Sequence, residues 1–451
     1  MNPILIQVIY FFLSLSLLIV LHELGHFIPA KLFKTRVEKF YLFFDIKYSL
    51  FKKKIGETVY GIGWLPLGGY VKIAGMIDES MDKEQMAQEP KPWEFRSKPA
   101  WQRLIIMLGG VTVNFLVAVI IYIGMAYKYG DEYVMADSLK DGFEVTEKSI
   151  GDKLGVQTGD LIIAVDENKV DRFSSLPMEI INGEKISIKR DGNIIEKEIP
   201  EDFIATLLED EDRIQFLSYR QPFIIKEVSK GSINTGVDFR DKDQVRSING
   251  QQVTYVDEVV PLLEKNKGGE INITVERENG SRETLTAKVG DDAMLGIGLR
   301  GMTFQEYEEK GFLKIKTIKY DFLESIPAGI KMGVKTLTDY VKQLKKIVNP
   351  KTGAYKGVGG FGAIAGIYPD TWDWVRFWRA TALISIILAF MNILPIPALD
   401  GGHVMFLLYE MITGRKPSDK FLEYAQMVGF FLLIALLLFA NGNDIYKWLT
   451  K

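Results

Sequence analysis

Four long apolar segments stand out in the hydrophobic pattern of the chain, and polar stretches separate them. They cover residues 3–21, 104–127, 380–399 and 424–440. A helix needs about 20 predominantly apolar residues to cross the hydrocarbon core of a bilayer. The pattern therefore predicts a multi-span α-helical membrane protein with four transmembrane helices.

The first apolar segment is predicted to be a retained transmembrane helix. No basic residue precedes it and no small-residue cleavage site follows it, which argues against a signal peptide. Basic residues do follow it between 31 and 54, and others lie just before the second segment. By the positive-inside rule these ends are cytoplasmic, so the N-terminus is expected outside.

Residues 58–75 are apolar and β-prone, but glycines interrupt them too often for a spanning helix. Non-helical backbone survives at membrane depth only where protein or a watery cavity covers its polar groups. We expect a membrane-embedded β-hairpin or sheet here. It belongs, with the first two spans, to an N-terminal membrane half over residues 1–129.

Residues 130–310 are polar and mixed in charge, without a further apolar span. Segments 149–165 and 229–250 resemble each other at an offset of about 80 residues. Each has a turn of small residues, a short apolar strand, a polar turn and another strand. The repetition predicts two inserted β-rich domains, over residues 130–221 and 222–310.

Residues 311–374 are predicted to form an amphipathic helix and a Gly-rich loop. Apolar residues recur at helical spacing from Ile326 to Leu344, with lysines between them. The pattern fits a helix lying in the membrane interface or one packed on the protein, and it favours neither. Tryptophans 372, 374 and 378 resemble an interfacial belt, and the C-terminal membrane half is expected over residues 375–451.

Composition excludes several classes of protein. The net charge is −3 with no strongly basic block, so nothing indicates nucleic-acid binding. The absence of cysteine excludes disulfides, thiolate zinc ligands and a cysteine nucleophile. The chain contains three histidines, His22, His26 and His403.

Two of these histidines form a metal-binding pattern at the end of the first span. His22 and His26 lie four residues apart in His-Glu-Leu-Gly-His, so a helix presents both rings on one face. That spacing suits one zinc ion and leaves Glu23 beside it as general base for a water molecule. Polar residues of this kind within a span are costly unless they serve a function.

A catalytic zinc needs a third protein ligand. The segment 392–403 offers Asp400 and His403, and spacing alone does not decide between them. Asp400 could instead cap a helix N-terminus. Asn114, in the second span, is expected to make an ordinary interhelical hydrogen bond.

Several motifs together resemble the site-2 protease family of intramembrane zinc metalloproteases, in particular its regulator-of-sigma-E protease branch with tandem PDZ domains. They are His22 through His26, Pro66 through Lys72, Trp101-Gln102-Arg103 with Asn114, and Asn392 through His403. The resemblance implies that Asp400 is the third zinc ligand and that Asn392 contacts the substrate or oxyanion. It also implies a β element over residues 61–73 that pairs with an unwound substrate strand, through Gly68, Gly69, Tyr70, Val71 and Lys72.

The resemblance further implies hydrolysis of peptide bonds within transmembrane segments of single-pass membrane proteins. Expected substrates are membrane-bound anti-sigma factors or remnant signal peptides. An upstream site-1-type protease would first trim them, because the PDZ-like domains exclude full-length substrates. The implied location is the bacterial inner membrane, with the PDZ-like domains and both termini periplasmic and the zinc site near the cytoplasmic side.

The sequence departs from the family pattern at three places. The second span has Gly110-Val111 where Gly-Pro is usual, and the loop before the third span reads Gly359-Gly360-Phe361-Gly362. The second repeat has Arg240-Asp241-Lys242-Asp243 in place of a Gly-Asp turn, which argues against peptide-carboxylate binding there. Two other functions remain open from the residues alone: a metal transporter, and a non-enzymatic scaffold that binds peptides through PDZ domains.

Overall fold

A computed structural model describes residues 2–66, 68–76, 89–146, 148–209 and 216–450. Its helices are α1 (Pro3–Leu32), α2 (Ala100–Tyr129), α3 (Lys148–Leu154), α4 (Leu176–Asn182), α5 (Phe203–Glu209), α6 (Val256–Lys265), α7 (Phe304–Glu309), α8 (Phe322–Val348), α9 (Phe361–Ala365), α10 (Trp374–Ile393), α11 (Asp400–Thr413) and α12 (Asp419–Thr450).

The strands are β1 (Val37–Leu42), β2 (Phe44–Ile55), β3 (Thr58–Leu65), β4 (Tyr70–Ile73), β5 (Asp131–Val134), β6 (Phe143–Val145), β7 (Leu161–Val165), β8 (Asn168–Lys169), β9 (Lys185–Arg190), β10 (Asn193–Glu198), β11 (Leu217–Tyr219), β12 (Ile225–Val228), β13 (Gln244–Ile248), β14 (Gln251–Gln252), β15 (Glu270–Glu276), β16 (Arg282–Lys288), β17 (Ile297–Leu299) and β18 (Ile315–Ile318).

The chain divides into two compact units. One is Met1–Gly130, Lys319–Val348 and Tyr355–Lys451, and the other is Asp131–Ile318 with Asn349–Ala354.

The first unit contains the four membrane-length helices that the hydrophobic pattern predicts. They are α1, α2, α10 and α12, and each is long and apolar enough to cross a bilayer. Their ends differ from the predicted ones. Helix α1 continues beyond residue 21 to Leu32, so the whole His-Glu-Leu-Gly-His motif is helical. Helix α10 ends at Ile393 and not at residue 399, because Pro395 and Pro397 cannot continue it.

Helices α1 and α10 pack through aromatic residues near the start of each. Tyr10 is fully buried and stacks on Phe377 at 5.0 Å, with Trp372 and Trp374 edge-on to it. The hydroxyl of Tyr10 accepts a hydrogen bond from the Asp373 amide at 2.9 Å. The tryptophans that the sequence assigns to an interfacial belt thus also fix the start of α10 against α1.

Strands β1 to β4 form a small sheet in the order β2-β3-β1-β4. Strand β1 is parallel to β3 and antiparallel to β4, while β2 and β3 form a hairpin. The sheet packs on α1 through β1 and β4. Strand β4 therefore lies at one edge of the sheet, next to the helix that carries the histidines.

Helix α8 packs on α2 with its small residues. Ser325, Gly329 and Gly333 are buried, and a Cβ on Gly329 would collide with Ile123 of α2. Ile330 and Val334, which the sequence assigned to the apolar stripe, are exposed. Leu337 of the same stripe packs against a buried cluster that includes Ala118 and Tyr122 of α2. Helix α8 therefore contacts the protein through its small residues and through part of its apolar stripe.

The second unit contains two four-stranded sheets with the same connectivity. Strands β7 to β10 are ordered β10-β9-β7-β8, and strands β13 to β16 are ordered β16-β15-β13-β14. A buried acid precedes the first strand of each sheet. Asp160 accepts hydrogen bonds from Arg190, and Asp243 accepts one from Arg277 at 2.5 Å.

The turn before the second of these acids keeps the shape of the first. Gly159 has φ +98°, and Lys242 takes the equivalent place with φ +69°. In both turns the acid accepts a hydrogen bond at 2.8 Å from the backbone amide three residues before it. The unusual sequence at 240–243 therefore changes the residue in the turn and leaves its hydrogen bonds in place.

The second unit also includes residues that the sequence grouped with the amphipathic helix. Strand β18 pairs with β5, so the chain enters and leaves this unit side by side. The short segment Asn349–Ala354 also belongs to it. The predicted boundary at residue 310 therefore lies eight residues before the end of the unit's main segment at Ile318.

Candidate metal centre

The two histidines of α1 meet on one face of the helix, as their spacing predicts. His22 and His26 present their Nε2 atoms to each other at 3.2 Å. His26 is buried, and its Nδ1 lies 2.8 Å from the carbonyl oxygen of Ile106 on α2. A ring whose Nδ1–H donates to that carbonyl leaves Nε2 free to bind a metal ion.

Asp400 reaches the histidines through the tight loop between α10 and α11. Gly401 and Gly402 lie so close to the loop backbone that a Cβ on Gly402 would be 2.6 Å from the Ile396 oxygen. Ala398 takes φ +78°, and its amide donates to the Gln426 side chain at 3.2 Å. This compact turn carries Asp400 Oδ2 to 3.4 Å from His22 Nε2 and 3.3 Å from His26 Nε2.

The three candidate ligand atoms have the spacing that a zinc ion requires. Zinc binds histidine nitrogen and carboxylate oxygen at about 2.0–2.1 Å, so two ligand atoms in a tetrahedron are about 3.3–3.4 Å apart. The separations here are 3.2, 3.3 and 3.4 Å. Asp400 Oδ2 is also buried without a hydrogen-bond partner among the described residues, which a bound cation would explain.

These contacts bear on the two alternatives for the segment around residue 400. His22, His26 and Asp400 form a metal-ligating group in the described part of the chain, and His403 does not belong to it. Asp400 is the first residue of α11 and not its N-cap, which is Leu399. Asp400 therefore lies with His22 and His26, while the N-cap position of α11 belongs to Leu399.

Glycines allow the helices to approach each other at the centre. A Cβ on Gly25 of α1 would overlap the Gly109 carbonyl of α2, and one on Gly110 would be 2.5 Å from His22 Cε1. The sequence pattern did not assign this role to Gly109 and Gly110. A pair of small residues within a predicted span was the available signal, since such residues let membrane helices pack closely.

Glu23 lies between the two histidines on α1 and is 8% exposed. The backbone at Gly69 packs against the same turn of helix, because a Cβ there would be 3.5 Å from Glu23 Cγ. The segment leading into β4 is therefore adjacent to the glutamate. Of the Pro66 to Lys72 motif, Leu67 lies outside the described residues.

Charged and aromatic side chains hold β4 onto the sheet. The Tyr70 hydroxyl donates to Asp45 Oδ1 at 2.7 Å, and Lys39 Nζ lies 3.2 Å from Asp45 Oδ2. Burial raises the pKa of the Asp45 carboxyl, but the hydrogen bonds from Tyr70 and Lys39 outweigh burial and hold the pKa below its usual range. Asp45 therefore stays ionised and pins Tyr70, the first residue of the edge strand.

The two asparagines that the sequence singles out, Asn392 and Asn114, lie on different helices. Asn392 is half-buried in the last turn of α10, eight residues before Asp400. Asn114 of α2 is 1% exposed, and its side-chain amide lies 3.3 Å from His22 Nδ1. The interhelical hydrogen bond expected of Asn114 thus reaches a histidine of the metal centre.

Two histidines and an aspartate around one position, beside a buried glutamate on a membrane-length helix, form a group that could hold a metal ion. The comparison with known proteins is specific. The chain belongs to Peptidase family M50, whose model matches residues 10–436.

Relatives match over nearly their full length. The chain is 28% identical to a protein of Rickettsia conorii and 24% identical to one of Thermotoga maritima, both named as zinc metalloproteases. These matches cover 98% and 97% of this chain and 98% of each relative. It is 27% identical to the regulator of sigma-E protease RseP of Escherichia coli, over 97% of this chain and 98% of that protein.

Family membership and the membrane-length helices together establish an intramembrane zinc metalloprotease. The resemblance seen in the motifs is confirmed at the level of the family. The transporter and the non-enzymatic scaffold are excluded as descriptions of the whole chain.

Proposed function

We propose that His22, His26 and Asp400 hold the zinc ion and that Glu23 is the general base. The observation that carries this assignment is the tetrahedral spacing of the three ligand atoms, at 3.2–3.4 Å from one another. A zinc ion held by these residues would act as a Lewis acid towards the scissile carbonyl and would lower the pKa of a bound water towards about 7.

Glu23 moves the proton in this scheme. Its carboxylate takes a proton from the attacking water and returns it to the amine that leaves when the peptide bond breaks. Its position between the ligand residues on one helical turn supports the role, as does its burial, which excludes bulk water from the carboxylate. Asn392 is proposed to donate to the substrate carbonyl oxygen as negative charge develops there.

The proposed substrates are single-pass transmembrane helices, with membrane-bound anti-sigma factors and remnant signal peptides as the two classes. A helix hides its carbonyls in its own hydrogen bonds, so the scissile segment must unwind before attack. Unpaired backbone is costly inside a membrane, and pairing with an exposed strand removes that cost. Substrates with helix-weak residues are therefore expected to be cleaved preferentially.

Residues 68–72 are proposed to pair with the unwound segment. Strand β4 supports this because, among the described residues, it is the last strand of its sheet and follows β1 in the order β2-β3-β1-β4. Gly69, which directly precedes β4, packs against α1 beside Glu23. A substrate strand paired with β4 would therefore run close to the proposed base. The Asp45–Tyr70 hydrogen bond supports the same proposal by fixing the start of β4.

The two β domains are proposed to be PDZ-like, over residues 130–221 and 222–310, and to act as a size filter. Their repeated strand order supports a duplicated module. An upstream site-1-type protease would then trim each substrate first. We place the protein in the bacterial inner membrane, with the β domains and both termini periplasmic and the zinc site near the cytoplasmic side. The lysines between residues 31 and 54 support this orientation.

The test is cleavage of a tagged single-pass membrane substrate by full-length Glu23→Gln protein. Glutamine keeps the shape of the side chain but cannot accept the proton, so cleavage should fall by at least about 100-fold while zinc content is unchanged. Glu57→Gln is the matched control, because Glu57 is an exposed residue in the β2–β3 turn. Normal cleavage by the Glu23 variant would show that another group is the base.

A further inference from the structure

One buried polar side chain touches the metal centre without a role in the scheme above. Asn114 is 1% exposed, and its Nδ2 lies 3.3 Å from His22 Nδ1. Its Oδ1 is buried and has no hydrogen-bond partner among the described residues. A buried amide oxygen without a partner is destabilising, so an arrangement that satisfies it is favoured.

The position of His22 determines which of its nitrogens carries the proton. Its Nε2 faces His26 Nε2 and Asp400 Oδ2, so Nε2 must be unprotonated to bind the metal ion. A neutral imidazole then carries its proton on Nδ1. That Nδ1–H points at Asn114 and needs an acceptor, which the amide nitrogen cannot be.

Rotating the side-chain amide of Asn114 by 180° about its terminal bond gives a partner both to Asn114 Oδ1 and to the Nδ1–H of His22. This rotation exchanges the positions of Oδ1 and Nδ2 with almost no change in the shape of the side chain. Oδ1 then accepts from His22 Nδ1–H and is no longer without a partner. The Asn114 main chain is held in place by the Ser385 hydroxyl of α10, which donates to the Asn114 carbonyl at 2.7 Å.

We infer that Asn114 is a positioning residue that accepts the Nδ1–H of His22 and so directs Nε2 at the zinc ion; this rests on the proposed ligand role of His22. The two histidines are supported differently. His26 relies on the backbone carbonyl of Ile106, which no side-chain substitution removes. His22 relies on a side chain, so its orientation can be changed by a single substitution.

A backbone group offers the rival explanation. The Gly110 carbonyl also lies within reach of the His22 ring. If that carbonyl alone held the ring, removal of the Asn114 amide would leave zinc affinity unchanged. The two possibilities therefore differ in what a substitution at residue 114 does to metal binding.

The experiment measures zinc affinity of the purified full-length protein by competition with a chelator. Loss of a group that orients a metal-binding histidine typically weakens affinity by about 10–100-fold. Asn114→Leu should show that loss, while Asn114→Asp, which restores an acceptor, should bind zinc within about threefold of wild type. Thr381→Val is the matched control, because Thr381 is a buried polar residue of α10 whose hydroxyl donates to the Phe377 carbonyl of the same helix.

The outcomes separate this inference from the proposed function. His22→Ala should lose zinc altogether, and full zinc binding by that variant would refute the ligand assignment itself. If His22→Ala loses zinc but Asn114→Leu retains wild-type affinity, Asn114 does not position His22. Should Asn114→Leu not fold, Asn114→Asp decides, since a tenfold loss of affinity at an unchanged melting temperature contradicts an acceptor role.

Discussion

The crossing of α1 and α2 and the attachment of α12 show two ways of joining membrane helices in one protein. At the crossing, Gly25, Gly109 and Gly110 bring the two backbones into contact. Helix α12 has only 11% of its most apolar window buried, compared with 33% for α1 and for α2. Its hydrogen bonds to other elements include those of Gln426 near one end and Asp444 near the other.

The difference follows from what each contact must hold. Lipid is as apolar as leucine, so helices in a membrane gain little by burying apolar side chains against each other. Ligand atoms must keep their separations within a few tenths of an ångström, and close backbone contact provides that rigidity. A helix that mainly faces lipid needs only enough polar contacts to fix its ends.

The substitution Gly110→Ala, at the contact between α1 and α2, is expected to have the largest effect on cleavage. The added Cβ would overlap His26 Nε2 and lie 2.5 Å from His22 Cε1, so the histidines or α2 must shift. Misplacement of catalytic groups by about 1 Å can cost about 100-fold in rate. We expect at least that loss of cleavage, together with loss of bound zinc measured by elemental analysis.

Gly124→Ala is the control for this substitution on the same helix. A Cβ at Gly124 meets no atom within 4 Å in the described structure. It should leave zinc content and cleavage at wild-type values. Equal losses in both variants would mean that replacing either glycine disturbs α2 and that close packing at the crossing is not the cause.

A smaller loss of cleavage is expected from a substitution where α12 packs on the loop that precedes Asp400. A Cβ on Gly429 would overlap the Pro397 carbonyl oxygen, three residues before the proposed ligand Asp400. Gly429→Ala should push α12 away from the loop and reduce cleavage by about 10-fold, a smaller loss than at the crossing because α12 is less buried than α1 and α2. Gly442→Ala, with no atom within 4 Å of its Cβ among the described residues, is the control. Wild-type cleavage by Gly429→Ala would show that the loop is independent of α12.

The smallest effect is predicted at the far end of α12. Asp444 Oδ2 accepts hydrogen bonds from the amides of Gly360, Gly362 and Ala363 at 2.9–3.2 Å, at the start of α9. Removing such a cap costs about 1 kcal/mol. Asp444→Ala should lower the melting temperature by a few degrees and leave zinc content unchanged, whereas loss of zinc would show that this contact also supports the centre.

The sequence alone predicted the spans and the metal-binding motif because both depend on local patterns. Four apolar segments and a four-residue histidine spacing are readable without knowledge of the fold. The sequence did not show which of Asp400 and His403 lies near the histidines of α1. That depends on the path of the loop that contains Pro395 and Pro397. The role of Gly110 was also hidden, since a glycine does not reveal which helix lies against it.

Helix α8 shows that one apolar stripe can have two kinds of surroundings. The small residues Gly329 and Gly333 lie close to α2, and Leu337 packs against a cluster that includes Ala118 and Tyr122. Ile330 and Val334 of the same stripe are exposed. Lipid can cover those side chains, and close packing selects the small ones.

The candidate ligands come from distant parts of the chain, and this has a consequence for biosynthesis. His22 and Asp400 are separated by 400 − 22 = 378 positions. At about 5–20 residues per second, a ribosome needs roughly 20–75 s between the two. A nascent chain with its first helix already inserted therefore lacks the third proposed ligand until residue 400 has been synthesised.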